Sequence, residues 1–266
     1  MSKITKEFFG LYDDKEIHRF TLMNAKGNRV SVINYGGTVI SWILNENGKE
    51  KNIVAGFDTL QQYRDATAYF GCIAGRYANR IANGHFSING TSYVLACNDG
   101  KNHLHGGNRG FDKKVWDATV IEKDSPVLSL NYFSRDGEEG YPGSLDVTAE
   151  FSYTDDDELV IRYSAETDKP TPINLTSHCY FNLSGDMGRS ILDHSLQINA
   201  DHYTPLNAER IPTGELIPVA GTGFDFREPA SIKDNLERSA EEYDHNFVLN
   251  KNGNPFSFAA LLAGPG

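Results

Sequence analysis

Residues 171–183, TPINLTSHCYFNL, decide how the rest of the chain is interpreted. Prolines at the entry favour extended backbone, and β-favouring Ile, Thr, Tyr and Phe follow. A strand here would place Thr176, His178 and Tyr180 on one face. A histidine held on strand backbone suits proton transfer, because its ordinary pKa is about 6.5. For an isolated histidine in a strand, we would prefer a structural explanation, in which the buried side chain is hydrogen-bonded to a neighbour. The other motifs described below favour a role in catalysis instead.

Composition limits the classes of protein to consider. The 266 residues are 39% hydrophobic and carry a formal net charge of −11. This charge disfavours nucleic acid and anionic membranes as partners. No apolar run approaches the roughly 20 residues that cross a bilayer, and charges stand where a signal peptide needs an apolar core. Three widely spaced cysteines predict no disulfide framework. We therefore expect a cytoplasmic protein with a small-molecule ligand, and nothing indicates an oligomeric state.

Short strands separated by turns predict an all-β chain with few short helices. Polar or glycine-containing turns divide most of the segments, and Asn89-Gly90 is typical of a type I′ hairpin turn. The predicted strands are 18–23, 30–35, 38–44, 52–57, 86–88, 91–95, 115–122, 127–134, 144–154 and 158–166. Helices are predicted at 58–66, with Asp58 as N-cap, and at 229–242. This pattern favours an antiparallel β-sandwich or barrel, and the absence of a linker favours one domain.

Four further stretches carry side chains that could do chemistry. Residues 75–81, GRYANRI, contain Arg80, which could bind sugar hydroxyls or pair with an acid. Residues 102–107, NHLHGG, contain His103 and His105, which share a face if extended; zinc is conceivable, but no third ligand is visible. Asp244 stands before the apolar strand NFVL and could accept two hydroxyl donors, or be a surface acid. The acidic loop 136–143, DGEEGYPG, is either a solvated turn or a carboxylate placed near a ligand.

Taken together and in this order, the motifs resemble the aldose 1-epimerases, also called galactose mutarotases. The matching segments are GRYANRI at 75–81, LHGG at 104–107, EGYPG at 139–143, PINLTSHCYFNL at 172–183 and DHNFVL at 244–249. The resemblance implies a galactose-mutarotase-like antiparallel β-sandwich, or supersandwich, over residues 1–266. It also implies a sugar cleft that needs no metal or cofactor, with a small-molecule aldose as substrate.

The resemblance also implies roles for individual residues. His178 matches the general acid of the family, and His105 matches a second active-site histidine that contacts the sugar near its ring oxygen. Arg80 and Asp244 match hydroxyl-binding residues, and Asn79 assists them. His103 lies outside the motif and is expected to be structural.

Anomer interconversion explains why such residues are needed. The C1 hydroxyl must lose a proton while the ring oxygen gains one, after which the ring opens, C1 rotates and the steps reverse. A histidinium can supply the ring proton, and the hydroxyl-binding residues keep the reacting atoms aligned.

One feature of the family has no counterpart in the sequence. The resemblance places the general-base glutamate beyond the Asp244 strand, whereas this chain reaches Gly266 without it. We therefore expect a C-terminally incomplete chain that lacks its last strands. The main interpretation is an aldose 1-epimerase for hexoses such as galactose and glucose. The alternatives are a catalytically inactive sugar-binding protein and, ranked last, a glycoside hydrolase using Glu138 and Glu139.

Overall fold

Antiparallel strands form most of the regular structure in the computed structural model, which describes residues 2–239 and 241–265. The chain forms two compact units, Met1–Phe181 and Asn182–Gly266. Within the described residues, two short α-helices accompany the strands. A single domain over residues 1–266 remains a prediction.

The first unit begins with a five-stranded antiparallel meander. Its strands are β1 (Lys3–Tyr12), β2 (Lys15–Met23), β3 (Arg29–Ile33), β4 (Thr38–Glu46) and β5 (Lys49–Asn52), in that spatial order. Buried Ile17, Ile33, Tyr35 and Ile40 form the core of this sheet with helix residues that follow. The strands predicted at 18–23, 30–35 and 38–44 are confirmed. Strand β1 was not predicted from the sequence. It lies at the edge of the sheet with Phe8 and Leu11 exposed, so its residues alternate little between buried and exposed positions.

The strand predicted at 52–57 is wrong. Strand β5 ends at Asn52, and beyond it Val54 makes an isolated bridge to Phe181. At Gly56 a Cβ would lie 2.3 Å from the carbonyl oxygen of Ile40, so the chain passes too close to β4 to pair as a regular neighbour.

Helix α1 (Leu60–Asp65) starts one residue later than predicted. Its N-cap is Thr59 rather than Asp58, because Thr59 and Gln62 form a reciprocal capping box. The Thr59 side chain accepts from the Gln62 N–H, and the Gln62 side chain accepts from the Thr59 N–H. Two donors at the helix start are thereby satisfied, which a single aspartate cap does not achieve.

Very short strands follow, and they position the candidate site. They are β6 (Ile73–Ala74), β7 (Arg80–Ile81), β8 (His85–Ile88), β9 (Thr91–Val94) and β10 (His103–Leu104). Strands β8 and β9 form the predicted hairpin, in which Asn89 and Gly90 both have positive φ. Strand β7 pairs with β10.

A four-stranded antiparallel sheet completes most of the first unit. It contains β11 (Asp117–Ile121), β12 (Val127–Ser134), β13 (Leu145–Tyr153) and β14 (Leu159–Thr167). Alternate residues of β13 are buried, among them Leu145, Val147, Ala149 and Phe151. All four predicted strands are confirmed here. Strand β15 (Thr176–Ser177) then returns to pair with β6.

The described residues of the second unit form two three-stranded antiparallel sheets and one helix. Its elements are β16 (Ser195–Ile198), β17 (Ala200–Thr204), β18 (Ile217–Pro218), β19 (Ala230–Ser231), α2 (Ile232–Arg238), β20 (Asn246–Leu249) and β21 (Ala260–Ala263). Helix α2 is shorter than the predicted 229–242, because Ser231 caps its start and Ser239 takes extended backbone at its end. Ala240, inside the predicted helix, lies outside the described residues.

Candidate active site

His178 is anchored through its backbone at the point where β15 ends. Its N–H donates to the carbonyl oxygen of Cys72 at 2.8 Å, and its own carbonyl accepts from the Gly71 N–H at 3.0 Å. The prediction of a long strand centred on His178 is wrong, because regular pairing covers only Thr176 and Ser177. Single bonds to the turn before β6 replace the ladder and still fix the backbone of the histidine.

The predicted alternation of side chains around His178 is confirmed. The rings of His178 and Tyr180 lie 5.1 Å apart between centroids, on one side of the segment. Ser177 Oγ and Cys179 Sγ are 3.2 Å apart, which pairs these two residues as predicted.

His105 directly follows β10 and is held by Asn79 through two hydrogen bonds. The Asn79 N–H donates to His105 Nδ1 at 3.0 Å, and the His105 N–H donates to the Asn79 carbonyl oxygen at 3.1 Å. Both residues have left-handed backbone, with φ of 50° at His105 and 68° at Asn79. Gly106 continues this turn, and a Cβ there would lie 1.9 Å from the carbonyl oxygen of Gly75. Only glycine permits this approach, which explains the LHGG motif.

These contacts also set the protonation of His105. Because Nδ1 accepts a hydrogen bond, the neutral ring carries its proton on Nε2. Burial, together with the positive charges of His178 and Arg80, lowers the pKa of His105 to about 4. His105 is therefore a neutral hydrogen-bond donor at physiological pH.

The structure brings His105 and His178 together. Their ring centroids lie 5.0 Å apart and their planes are nearly perpendicular, at 88°. Tyr69 packs against both rings, at 4.6 Å from His105 and 5.9 Å from His178. Sequence reasoning missed Tyr69, because its position in a turn has no periodicity and its contacts come from distant segments.

Arg80 is oriented by an ion pair with Asp99. The sequence left open whether Arg80 pairs with an acid or binds sugar hydroxyls. Its Nε donates to Asp99 Oδ2 at 2.7 Å, and the Arg80 side chain is only 10% exposed. The Arg80 backbone N–H donates to Asn79 Oδ1 at 2.8 Å. The Arg80 charge also lowers the pKa of His105. Asp99 is a second residue that the sequence did not single out.

The other arginine and the other histidine of these motifs have structural roles. The Arg76 guanidinium is buried and donates to the carbonyl oxygens of Pro142 and Gly143 at 3.0 and 2.9 Å. The His103 ring is fully buried between the Ala96 carbonyl oxygen and the Tyr141 hydroxyl, each at 2.7 Å. The expectation that His103 is structural is confirmed.

The two glutamates of the acidic loop are also engaged. Glu138 accepts from the hydroxyls of Tyr132 and Ser134 and pairs with Lys114 at 3.1 Å. Glu139 accepts from the backbone N–H groups of residues 108 and 109. These bonds tie the loop to its neighbours and disfavour the hydrolase interpretation, which needs a free pair of carboxylates. Within residues 2–239 and 241–265, no group of three or more His, Cys, Asp or Glu side chains is arranged to hold a metal ion.

Asp244 belongs to the second unit, two residues before β20. It is exposed and its Oδ2 lies 3.3 Å from Nη1 of Arg210. The side chain is 55% exposed, and a role in sugar binding stays a prediction.

Comparison with known proteins agrees with this architecture. A family model described as aldose 1-epimerase matches residues 18–263. Galactose mutarotase of Sus scrofa is 40% identical over 255 residues, covering 94% of this chain and 73% of the pig protein. Aldose 1-epimerase of Escherichia coli K12 is 39% identical over 254 residues, covering 93% of this chain and 72% of the bacterial protein.

A solved structure is similar over nearly the whole chain. Galactose 1-epimerase from Lactobacillus acidophilus NCFM has a TM-score of 0.88 and 33% sequence identity, covering 99% of this chain and 78% of that one. The predicted fold class, a galactose-mutarotase-like antiparallel β-sandwich, is confirmed by this similarity.

Proposed function

The chain belongs to the aldose 1-epimerase family, and we propose that it interconverts the α and β anomers of hexoses such as galactose and glucose. The observation that carries the proposal is the perpendicular pair His105 and His178, 5.0 Å apart, in which His105 is kept neutral. Ring opening needs a proton delivered to the ring oxygen while another leaves the C1 hydroxyl. In this pair His178 can deliver the proton to the ring oxygen and neutral His105 can orient the sugar, while the proton of the C1 hydroxyl passes to solvent water.

We assign the proton-donating role to His178. His105 resists protonation down to a pH of about 4, so a charged imidazole at this site is that of His178. Placing a second positive charge on His105 beside it is unfavourable, which keeps the two roles apart. Neutral His105 then donates its Nε2 proton as a hydrogen bond near the ring oxygen and orients the sugar.

Sugar binding is assigned to Arg80 with help from Asn79. Asp99 accepts from Arg80 Nε, which fixes the plane of the guanidinium. Asn79 bonds to both the His105 ring and the Arg80 backbone N–H. It therefore links Arg80, which is proposed to bind the sugar, to His105, which is proposed to act at its ring oxygen. Asp244 is assigned to hydroxyl binding on its motif alone.

We further propose a cytoplasmic location and a small-molecule aldose as the partner, with neither nucleic acid nor membrane. Cys72, Cys97 and Cys179 are all free thiols, as expected in a reducing compartment. No helix within the described residues is long and apolar enough to cross a membrane. The net charge of −11 supports the absence of nucleic acid.

The proposal is tested by the rate at which anomers exchange. Freshly dissolved α-D-galactose is followed by polarimetry with and without protein, and binding is measured separately by calorimetry. We expect the rate constant to rise with protein concentration and to saturate with galactose. Glucose is tested in parallel to establish the range of hexoses.

The two measurements separate the interpretations. Galactose binding without acceleration would replace the proposal by the catalytically inactive sugar-binding protein. The absence of both binding and acceleration with galactose and glucose would contradict it altogether.

A further inference from the structure

A small cavity lies next to the two histidines. Its volume is about 20 Å³, and its lining includes Tyr69, Cys72 and Asp112. Tyr69 packs against both imidazoles, and the Cys72 carbonyl oxygen holds the His178 N–H. The cavity therefore adjoins the candidate active site without containing its histidines.

Asp112, which lines this cavity, has an unsatisfied side-chain oxygen. The residue is 7% exposed, and its Oδ1 has no hydrogen-bond partner among the described residues. Its Oδ2 lies 3.8 Å from Lys113 Nζ, which instead donates to the carbonyl oxygens of Tyr63 and Ala66. A buried carboxylate without a partner is unfavourable, so a residue in this position needs a ligand or a special role.

The carboxylate of Asp112 lies close to the backbone of His105. A Cβ built on Gly110 would be 2.5 Å from the His105 carbonyl oxygen and 3.0 Å from Asp112 Oδ1. Both atoms therefore approach the same point, and the glycine leaves room for them.

Tyr69 connects the cavity with the histidines. Its φ of 57° is a left-handed backbone conformation that tyrosine rarely adopts. Burial, with a smaller contribution from the Asp112 carboxylate, raises the pKa of the Tyr69 phenol to about 12. Tyr69 and Asp112 therefore line one cavity, and the Tyr69 ring also packs against both imidazoles.

We propose that Asp112 and Tyr69 are positioning residues that share one buried water, and that this network fixes the perpendicular arrangement of His105 and His178. A water needs a cavity of roughly 10–15 Å³ and two or more polar partners. The cavity is large enough for one water, which Asp112 Oδ1 and the Tyr69 hydroxyl satisfy. The held Tyr69 ring then keeps water from His105 and keeps its imidazole neutral.

The test compares Tyr69→Phe, Asp112→Asn and the double variant with wild type. The control is Tyr63→Phe, which removes a phenol from the lining of the same cavity, where the hydroxyl already accepts from the Phe57 N–H. The pKa of each imidazole is measured by NMR of histidine-labelled protein, together with kcat and KM for galactose. Lys113, Lys114 and Glu139 also act on Asp112, and they are unchanged in every variant.

We expect each single variant to raise the pKa of His105 by about half a unit or more, because water reaches a looser ring. The double variant should add little, since both changes break one network. With turnover established, kcat should fall about tenfold while KM stays within about twofold. The control should match wild type.

An unchanged His105 pKa in both single variants would overturn the proposal, whatever happens to stability. Strictly additive shifts in the double variant would overturn the shared water. Only the kinetic measurement rests on the proposed mutarotase function. If wild type shows no mutarotation, the NMR comparison still decides whether the network positions the imidazoles.

Discussion

The four-stranded sheet β11–β14 and the frame of the candidate site are built in different ways. Strands β12, β13 and β14 are eight or nine residues long and pair along their whole length. The site frame, which we define as β6, β7, β10 and β15, has two residues in each strand. In the site frame, position depends on individual bonds, such as that from the Asn79 N–H to His105 Nδ1.

The difference shows that the four-stranded sheet contributes mainly to stability, whereas the site frame mainly holds the side chains of the candidate site in position. The sheet buries alternate apolar side chains, a favourable and redundant interaction. The site frame instead uses left-handed backbone at Tyr69, Asn79 and His105, each of which is costly and needs support from its surroundings. We therefore expect changes in the sheet to act on stability and changes in the frame to act on function.

The largest effect is expected from His178→Asn. A positioned general acid contributes about 10²–10⁴-fold to the rate, so kcat should fall by that factor while galactose affinity stays near normal. Polarimetry gives kcat, and calorimetry gives affinity. The control is His85→Asn, an exposed histidine on the hairpin strand β8, which should leave both unchanged. Full turnover by His178→Asn would remove His178 from the catalytic residues.

Phe151→Ala tests the sheet. Phe151 is fully buried on β13, and its truncation should lower the free energy of unfolding by about 3–5 kcal/mol. Phe133→Ala on β12 is the matched control, because Phe133 is 53% exposed and should lose about 1 kcal/mol or less. Urea denaturation measures both. Equal losses of unfolding free energy in the two variants would contradict the contrast between the sheet and the site frame. A Phe151→Ala protein that stays folded but has altered imidazole pKa values would also contradict it.

Much of the fold was predictable because burial imposes a regular pattern. In β13 every second residue is buried, so Val147 and Phe151 reveal the strand from sequence alone. Strand β1 was missed for the converse reason, since at an edge its Phe8 and Leu11 remain exposed. The N-cap of α1 was misplaced because Asp58 and Thr59 are both suitable caps, and only the partner Gln62 decides between them.

The site was predictable only in part. His105, His178 and Arg80 were indicated by the order of five motifs taken together, since His103 and Arg76 of the same motifs are structural. Tyr69 and Asp99 have no such signal, since they meet the histidines and Arg80 through folding of distant segments. The tautomer of His105 depends on a backbone N–H donor, which no side-chain pattern encodes.

The lowered pKa of His105 predicts a specific pH dependence of stability. In the unfolded chain His105 takes up a proton near pH 6.5, whereas in the folded protein it does so only near pH 4. Its contribution is therefore complete above pH 6.5 and is lost as pH falls towards 4, by at most about 1.4 kcal/mol per pH unit.

His105→Asn isolates this contribution. The asparagine Oδ1 takes the place of Nδ1 as acceptor, so the bond to Asn79 is kept. Unfolding free energies of wild type and variant are compared by urea denaturation at pH 7, 6 and 5. We expect the wild type to lose more stability than the variant over this range, since all other titrating groups are shared. Parallel curves would show that the folded environment does not disfavour the charged imidazole.

The smallest effect is expected from Asp244→Ala in the second unit. Removing one partner of a hydroxyl contact commonly costs about 1–3 kcal/mol when that contact is buried, so we expect galactose affinity to fall at least several-fold. The fold should survive, because the exposed pair of Asp244 with Arg210 contributes only about 0–1 kcal/mol. Calorimetry measures affinity and circular dichroism checks the fold.

Arg210→Ala is the control, since it breaks the same ion pair but keeps the carboxylate and should bind galactose normally. If both variants weaken binding equally, the ion pair acts through local structure and Asp244 is not a sugar ligand. If neither does, Asp244 lies outside the site altogether.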